Sequence, residues 1–445
     1  MAQENPLYLY ERAPLTSPIS SVYDYYWLAE KVGTPYYIVE ESTLNDRYEQ
    51  LKEAYAGFNG TVRIALSIKA NFNPYVLRFF IKKGSMFDLT SPEELFFLLH
   101  SGGSSDRVVY TSVTERLDEY EEILSKGVKR VVVASFSGLM NLMEAAERLN
   151  LVPEVGIRIN PEVPVKAEIK ASYKNGKFGV PIGGSTQDNA TNMIKSIYST
   201  PNLKFIGFHF HLGSQIEDPS AFIQALDKLK AFSQKLKREI PAFELKMLDV
   251  GGGMPVNYGI RVPSPKELGT VVTERLNNIK EELGYDYDLY VESGRYLTAE
   301  SSSLLTKIVN IKNYSSHKYI YVDAGYHLLL DTALVHQIYP MEVLPSTKEE
   351  PVKTTVAGRL CDTMDVFPIG PEAKLGGAKQ GKLMMIKNVG AYSLVFNMPF
   401  HSQVKPAVVY RDVNGKYFLA RKRQTIDELF KEEGGDLLNS CIQID

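Results

Sequence analysis

The sequence is poor in cysteine, histidine and net charge. Its 445 residues include 2 Cys and 7 His, and 50 basic side chains against 53 acidic ones give a formal net charge of −3. Two cysteines, Cys361 and Cys441, cannot form a disulfide framework and indicate a reducing compartment, so we expect a cytoplasmic protein. The balanced charge and the lack of a dense Lys/Arg tract offer no basic field for a phosphate backbone, which argues against a nucleic-acid partner.

Long apolar runs are missing as well. No stretch approaches the ~18 consecutive apolar residues of a membrane helix. The start, MAQENPLYLYER, has neither the basic nor the apolar region of a secretory signal. We therefore expect no membrane association. With 44% hydrophobic and 23% charged residues, the composition is instead typical of a folded protein with a large core, and the length indicates about two or three domains.

Short β-rich runs alternate with helical ones from about residue 35 to 300. Eight runs are predicted to be strands: VRIALSIKA (62–70), SMFDLTS (85–91), RVVYTS (107–112), RVVVASF (130–136), EVGIRIN (154–160), KFIGFHFHLGS (204–214), LKMLDVGGG (245–253) and DLYVESGRYL (288–297). The segments between them carry apolar residues at spacings of three and four, as helices do. Eight such units favour an α/β protein built on a (β/α)₈ TIM barrel, with an open doubly wound sheet as the alternative.

The pattern changes after Ala299. Short runs such as LLTKIVNI, KYIYVDAG and PAVVYRD are separated by turns and lack long helices, which predicts a second, mainly antiparallel β domain. We expect the barrel over residues 36–300 and the β domain over 1–35 together with 301–445. The long segment 161–189 is interpreted as a flexible or functional insertion in a βα loop.

Polar residues and glycines gather at the C-terminal ends of the predicted strands. They are Lys69, Asp88, Ser112, Arg158, His211, Gly251, Gly252, Gly253, Glu292 and Arg295. In a TIM barrel the βα loops converge at this end and form the active site. The sequence therefore predicts an enzyme whose catalytic groups lie on one rim.

Lys69 and the triple glycine suggest how such an enzyme could work. In a desolvated pocket the pKa of Lys69 would fall and its amine could form a Schiff base, whereas at a solvated rim the side chain would only extend into water. The backbone of Gly251, Gly252 and Gly253 could approach an anion closely, or it could form only a tight turn. Arg295 could add a bidentate phosphate contact on the neighbouring part of the rim.

Two further groups leave different chemistries open. Glu292, in VESGRY, needs a cationic partner if it is buried, and either a protonated pyridine nitrogen or a rim arginine would serve. His209 and His211 stand on one face of a predicted strand, a spacing that also suits zinc. A metal-dependent barrel hydrolase is therefore an alternative, although no other predicted strand supplies a histidine. We expect no metal, and interpret the histidines as packed side chains or as an imidazole stacked on a cofactor ring.

Taken together, the motifs resemble those of the pyridoxal-phosphate decarboxylases with an alanine-racemase-like fold, the family of diaminopimelate and ornithine decarboxylases. In the family's order, and over about residues 35–430, they are SIKAN, FDLTSPEEL, IRINP, KFGV, HFHLGSQ, DVGGG, ESGRYL, VDAG, CDTMD and GAY. The resemblance implies pyridoxal 5'-phosphate as cofactor, decarboxylation at the α-carbon of an amino acid, and a homodimer with shared active sites. The spelling ESGR, where EPGR is commoner, resembles a branch that works in specialised metabolism.

The resemblance also implies roles for individual residues. Lys69 would form the Schiff base with the cofactor, His211 would stack on its ring, and Glu292 would pair with the ring nitrogen. The phosphate ligands would be Ser214, Gly251, Gly252, Gly253, Arg295 and Tyr392. The supporting polar residues would be Asp88, Glu94 and Arg158. Cys361 would reach in from the second chain, beside Asp362, and return a proton to Cα after CO₂ has left.

Two positions depart from the family's pattern and bear on the substrate. After the VDAG-like turn, diaminopimelate decarboxylases usually carry an arginine and, four residues later, a tyrosine, where this sequence has Asp331 and Val335. An aspartate repels a distal carboxylate and favours an amine, and Asp362 would add to this preference. We therefore expect a diamino acid or another distally cationic or modified amino acid, with meso-diaminopimelate as the main alternative.

Two more alternatives share the same scaffold. An amino-acid racemase would need a catalytic tyrosine from the second domain and no cysteine acid, which the CDTMD motif argues against. A non-catalytic cofactor-binding protein would be a single barrel, so the second domain with CDTMD and GAY argues against that class.

Overall fold

A computed structural model describes residues 8–10, 20–167, 169–348 and 353–438. The strands in chain order are Tyr8–Tyr10 (β1), Tyr36–Glu40 (β2), Val62–Ser67 (β3), Met86–Leu89 (β4), Val108–Tyr110 (β5), Arg130–Val133 (β6), Glu154–Arg158 (β7), Ile169–Lys170 (β8), Lys204–His209 (β9), Gly213–Ser214 (β10), Met247–Asp249 (β11), Asp288–Ser293 (β12), Ser302–Asn313 (β13), His317–Val322 (β14), Met341–Leu344 (β15), Lys353–Ala357 (β16), Val366–Phe367 (β17), Leu383–Lys387 (β18), Ala407–Arg411 (β19) and Tyr417–Arg421 (β20). The α-helices are Val22–Val32 (α1), Glu41–Ala54 (α2), Pro74–Lys83 (α3), Pro92–His100 (α4), Leu117–Ser125 (α5), Phe136–Leu149 (α6), Ala190–Tyr198 (α7), Ser220–Glu239 (α8), Pro265–Leu283 (α9), Arg295–Thr298 (α10), Asp331–Leu334 (α11) and Ile426–Glu432 (α12).

Eight parallel strands close into a barrel in the order β3-β4-β5-β6-β7-β9-β11-β12, and β12 pairs with β3 to complete the circle. The predicted TIM barrel is confirmed, and each of the eight predicted strands contains one barrel strand. Each predicted run is longer than the strand it contains, and the difference moves predicted site residues off their strands, as two of the runs show. The run 204–214 ends as a barrel strand at His209, and the run 288–297 ends at Ser293, so Arg295 opens the short helix α10 instead of extending a strand.

The barrel interior is closely packed. One buried cluster takes a side chain from each of seven barrel strands: Ala65, Met86, Val109, Val132, Ile206, Met247 and Tyr290. The eighth strand, β7, contributes Gly156, where an added Cβ would lie 3.1 Å from Met247 Cε and 3.2 Å from Val132 Cγ2. Alternating large and absent side chains fill the centre, so the barrel presents a site only at its rim.

Local sequence determines where the helices begin and end, as α9 shows. Ser264 and Glu267 form a capping box, and Pro265 occupies the first turn, where its missing N–H costs nothing. Apolar residues recur at spacings of three and four on the buried face, and the helix ends at Gly284 with φ +67°. Among the helices of the described residues, none is long and apolar enough to cross a membrane.

The second unit is built on a ten-stranded sheet with the central order β1-β20-β19-β2-β13-β14-β16-β17; β18 pairs with β13 and β15. Its pairs are mainly antiparallel, as expected, with β2 and β19 parallel and β14 and β16 parallel. A buried core that includes Tyr36, Leu305, Met385 and Val409 packs against one face of α1.

The boundary between the two units differs from the expectation. Residues Asp46–Asn257 and Val262–Leu297 form one compact unit, whereas the second contains the described residues before Asp46, Tyr258–Arg261 and those after Leu297. The expected barrel start at residue 36 is wrong, because β2 hydrogen-bonds with β13 and β19 in the large sheet.

Candidate active site

The polar groups of the barrel stand at the C-terminal ends of its strands. Arg158, His209 and Asp249 are the last residues of β7, β9 and β11, and Glu292 is next to last in β12. All four side chains are buried. Burying this many ionisable groups in one place is costly unless they interact with one another or with a ligand, so the rim is a candidate active site.

Lys69 lies in a short 3₁₀ turn directly after β3, and its Nζ donates a hydrogen bond to Asp88 Oδ2 at 2.6 Å. The Asp88 side chain is 2% exposed, but that of Lys69 is 43% exposed. Of the two environments that the sequence left open for Lys69, this structure has the partly solvated one. Asp88 fixes the position of the amine, which remains accessible from solvent.

The triple-glycine turn admits no side chain. A Cβ on Gly251 would lie 2.4 Å from Phe210 O, one on Gly252 2.8 Å from Glu292 O, and one on Gly253 2.7 Å from Gly213 O. Gly251 and Gly253 also have positive φ values of +67° and +108°. Two of the N–H groups donate inside the protein, from Gly251 to Asp249 Oδ1 at 2.8 Å and from Gly252 to His211 Nδ1 at 3.1 Å. The turn is thus held against the ends of the neighbouring strands.

Arg295 and Ser214 come together from different parts of the chain. Arg295 Nε donates to Ser214 Oγ at 3.2 Å, and the arginine is 9% exposed. Ser214 lies in β10, which pairs with β8 of the long segment 161–189. That segment, predicted as a flexible or functional insertion, therefore contributes a strand beside Ser214.

His211 does not share a strand face with His209, because β9 ends before it. Burial, with the positive Arg158 as the next cause, lowers the pKa of His211 to about 3. Because Nδ1 accepts from Gly252, the proton of the neutral ring is on Nε2. Burial also lowers the pKa of Arg158, and the Arg158 guanidinium lies 4.6 Å from the centre of the Phe178 ring.

Glu292 pairs with a histidine and not with a rim arginine. His209 Nε2 lies 3.3 Å from Glu292 Oε2, and both side chains are buried. Burial alone would raise the pKa of Glu292, but His209 and Lys69 together lower it to about 2. Burial and the nearby charge of Glu292 raise the pKa of Asp249 well above its usual range.

The zinc alternative rested on His209 and His211, and the geometry does not support that pair. Among the described residues, the group whose donor atoms could surround one ion consists of His209, Asp249 and Glu292, with atoms within 4.8 Å of one another. His211 is not part of it, because its Nδ1 accepts from Gly252.

Glu94 and Ser112 have local structural contacts. Glu94 Oε2 accepts from Thr90 N–H at 2.6 Å at the start of α4, and burial raises the pKa of Glu94. Ser112 Oγ lies 2.8 Å from Thr114 Oγ1 within its own loop. The predicted supporting role of Glu94 thus has a visible element, since it fixes the turn that follows the strand of Asp88.

The other predicted site residues belong to the second unit. Cys361 is exposed, Asp331 is 8% exposed and opens α11, and Tyr392 has a positive φ of +57°. Asp362 Oδ2 accepts a hydrogen bond from the Tyr326 hydroxyl at 3.0 Å. Their proximity to the barrel rim stays a prediction, and Cys441 lies outside the described residues.

Two acidic residues were missed by the sequence reasoning. Asp249 ends β11 in the cluster with His209 and Glu292, and its signal was an acid at the end of an otherwise apolar strand. Asp365 is 3% exposed and accepts from the backbone N–H groups of Tyr326 and Leu360, both at 2.7 Å. It thereby ties the loop of Cys361 to the turn after β14. Its only sequence signal was its place as the last residue of CDTMD.

Comparison with known proteins shows the family and the fold of this chain. The model of the pyridoxal-binding domain of pyridoxal-dependent decarboxylases matches residues 41–299. The chain is 30% identical to the diaminopimelate decarboxylase of Methanothermobacter thermautotrophicus over 416 residues, covering 91% of this chain and 92% of that protein. A crystal structure of Helicobacter pylori diaminopimelate decarboxylase complexed with L-lysine is 26% identical, has a TM-score of 0.82, and is matched over 93% of this chain and 100% of that one. A crystal structure of the diaminopimelate decarboxylase of Methanocaldococcus jannaschii, also in complex with L-lysine, is 27% identical and has a TM-score of 0.83. The match covers 92% of this chain and 93% of that one.

Proposed function

The chain belongs to the pyridoxal-dependent decarboxylases, and we propose that it removes the α-carboxylate of a diamino acid, with meso-diaminopimelate as the first candidate. Family membership makes it a carbon–carbon lyase that acts on an amino acid with pyridoxal phosphate. The observation that carries the choice of substrate is the similarity to diaminopimelate decarboxylases over nine-tenths of both chains, 91% and 92% in one case.

The residues of the rim fit the cofactor. Lys69 offers an accessible primary amine held by Asp88. The glycine turn packs its bare backbone against the ends of the neighbouring strands, and Arg295 with Ser214 offers donors for a phosphate. Glu292 Oε1 is a buried acceptor without a hydrogen-bond partner among the described residues, as a protonated ring nitrogen requires. When bound, the cofactor accepts the electron pair released as CO₂ leaves Cα.

The chain's own groups then have separate tasks. Lys69 would hold the cofactor until the substrate amine replaces it, with Asp88 keeping its Nζ in place. Neutral His211 would cover the ring, since its low pKa prevents a second positive charge beside Arg158. Gly251, Gly252, Gly253 and Tyr392 would complete the phosphate site.

Cys361 is proposed to donate the proton that returns to Cα. Its exposure and the anchoring of its loop by Asp365 support this role, since a proton donor must be accessible and fixed in position. We propose that it serves a site in a second copy of the chain, so that the enzyme is a homodimer with shared sites. Mixing K69A and C361A subunits, each strongly impaired alone, would then raise activity well above that of either variant, because about one quarter of the sites would combine two intact halves. No recovery after subunit exchange would contradict the shared site.

A diamino acid without a second carboxylate is the second candidate. It is favoured by Asp331, which is largely buried and stands where diaminopimelate decarboxylases usually carry an arginine. A buried carboxylate near the distal end of the substrate would favour an ammonium group and oppose a carboxylate.

Measurement of CO₂ release decides between these substrates. The panel contains diaminopimelate, lysine, ornithine, arginine and citryl- or carrier-linked amino acids, tested with the wild type, D331N and D331R. Highest kcat/KM for diaminopimelate supports the first candidate. Highest kcat/KM for lysine or ornithine, shifted toward diaminopimelate by D331R, supports the second. Absence of turnover for every diamino acid by protein that holds pyridoxal phosphate would contradict both.

A further inference from the structure

We propose that His209 and Asp249 are positioning residues that keep Glu292 as the single buried anion facing the cofactor's ring nitrogen, an inference that rests on the proposed role of Glu292. The three side chains end adjacent barrel strands, since β11 pairs with β9 on one side and β12 on the other. One donor or acceptor atom of each lies within 4.8 Å of the others, and all three residues are buried.

The three side chains of the cluster share one hydrogen bond, and the remaining buried polar atoms indicate where a proton is held. His209 Nε2 lies 3.3 Å from Glu292 Oε2, and because an ionised carboxylate can only accept, the nitrogen is the donor when Glu292 is an anion. Three atoms have no partner among the described residues: Glu292 Oε1, Asp249 Oδ2 and His209 Nδ1. Glu292 Oε1 is the acceptor proposed for the ring nitrogen. A proton on Asp249 Oδ2 would turn that oxygen into a donor, so that the two unpartnered carboxylate oxygens of the cluster would no longer both be acceptors.

Charge leads to the same assignment. Two buried carboxylates this close cannot both be ionised without a large electrostatic cost, so one of them carries a proton. Glu292 receives a hydrogen bond from His209 and has its pKa lowered to about 2, whereas burial and the charge of Glu292 raise the pKa of Asp249. Asp249 is therefore the neutral acid, and Glu292 is the anion.

The surroundings of Glu292 fix the direction of a pH effect. The titratable and charged groups that act on the cluster are His209, Asp249, Lys69, His211, Arg158 and Asp88. Of these, His209 is the leading group that lowers the pKa of Glu292. Removing its donor should therefore raise that pKa, so that Glu292 is protonated nearer to neutral pH.

Asp249 has a second contact that allows a matched pair of variants. Its Oδ1 accepts from Gly251 N–H at 2.8 Å, at the start of the glycine turn. D249N keeps this acceptor and places an amide where the protonated oxygen stands, whereas D249A removes both. H209Q keeps a donor that can reach Glu292, whereas H209L removes it at similar volume.

The experiment compares E292Q, H209L, H209Q, D249N and D249A in two ways. Titration of the apoproteins with pyridoxal phosphate, followed by protein fluorescence, gives the cofactor Kd, and the pH dependence of kcat gives the acid limb. We expect H209L to raise the cofactor Kd about tenfold and to move the acid limb of the kcat profile up by about one pH unit. H209Q should restore most of the cofactor affinity and most of the acid limb of the wild type. D249A should weaken cofactor binding several-fold more than D249N does.

The outcomes are distinguishable. If E292Q changes neither Kd nor turnover, the proposed role of Glu292 fails. If E292Q is impaired but H209L matches the wild type in Kd and acid limb, the role of Glu292 stands and the inference about His209 is overturned. If D249N is as impaired as D249A, or if purified protein holds a stoichiometric metal that D249N abolishes, Asp249 is an anion and the inference is overturned. Nitrogen-15 shifts of His209 in the wild type supply a check that needs no variant: a proton on Nδ1 alone contradicts it.

Discussion

The barrel rim and the loop of Cys361, residues 358–365, position their polar groups in different ways. On the rim, the functional side chains lie at or just after the C-terminal ends of strands, so their places follow from the register of eight parallel strands. The loop of Cys361 belongs to no such repeat, and Asp365 holds it through bonds to the Tyr326 and Leu360 N–H groups. Cofactor binding should therefore depend on rim residues, whereas the loop should affect turnover alone.

Among the variants that distinguish the rim from the loop of Cys361, K69A is expected to have the largest effect. Loss of the rim amine should lower turnover by about 10³-fold or more and abolish fixation of the cofactor by borohydride, because Lys69, held by Asp88, is the amine proposed to form the Schiff base. Peptide mass mapping of the reduced protein locates the modified lysine. K82A, at the exposed end of α3, is the control. Cofactor fixed at another lysine would contradict the claim that the barrel rim binds the cofactor through Lys69.

C361A tests whether the loop of Cys361 affects turnover without affecting cofactor binding. Without its thiol the chain should lose about 10²-fold in turnover, while the cofactor Kd and absorbance stay as in the wild type. C361S offers a weaker acid at the same place, so its turnover should lie between those of C361A and the wild type. Analysis of the products should show incorrect protonation. Weaker cofactor binding by C361A would mean that the loop does more than supply a proton.

Gly251 and Gly284 form a matched pair for the rim backbone. Both have φ +67°, but a Cβ on Gly284 meets nothing within 4 Å, whereas one on Gly251 would lie 2.4 Å from Phe210 O. G284A should cost ~1 kcal/mol of unfolding free energy for its backbone conformation. G251A should cost about 2 kcal/mol more for the close approach and should weaken cofactor binding. Urea denaturation measures both, and equal costs would show that the turn can relax.

The smallest effect is a pH slope. The pKa of His211 is about 3 in the fold and about 6.5 when unfolded, so the unfolded chain binds an extra proton between these values. The stability from neutral His211 is therefore complete above about pH 6.5 and is lost as the pH falls toward 3. H211F should flatten the decline in unfolding free energy between about pH 6 and pH 4 by up to ~1.4 kcal/mol per pH unit. An unchanged slope in the apoprotein would mean that His211 is protonated in the fold.

Much of the fold and part of the site could be predicted from the sequence. Strand and helix periodicities are local, so all eight barrel strands were found, and polar residues that follow apolar runs marked the rim. The ends of the strands were less certain, as the breaks after His209 and Ser293 show. The last contacts of a strand are made with residues distant in the sequence, such as the bond from Phe210 N–H to Asp249 O at 3.0 Å.

By itself, the sequence determined the barrel, the second β unit, and the candidates Lys69, Gly251–Gly253 and Glu292, because each depends on residue type and short-range spacing. Only the tertiary structure decided the partners of these groups. It placed Asp88 against Lys69, left Lys69 open to solvent, and gathered His209, Asp249 and Glu292 into one buried cluster. The physical reason is that strand pairing in the barrel brings together residues distant in the sequence: β9 and β12 both pair with β11, which places His209 beside Glu292, 83 positions away. Burial and neighbouring charge, which set protonation, exist only once the barrel has folded.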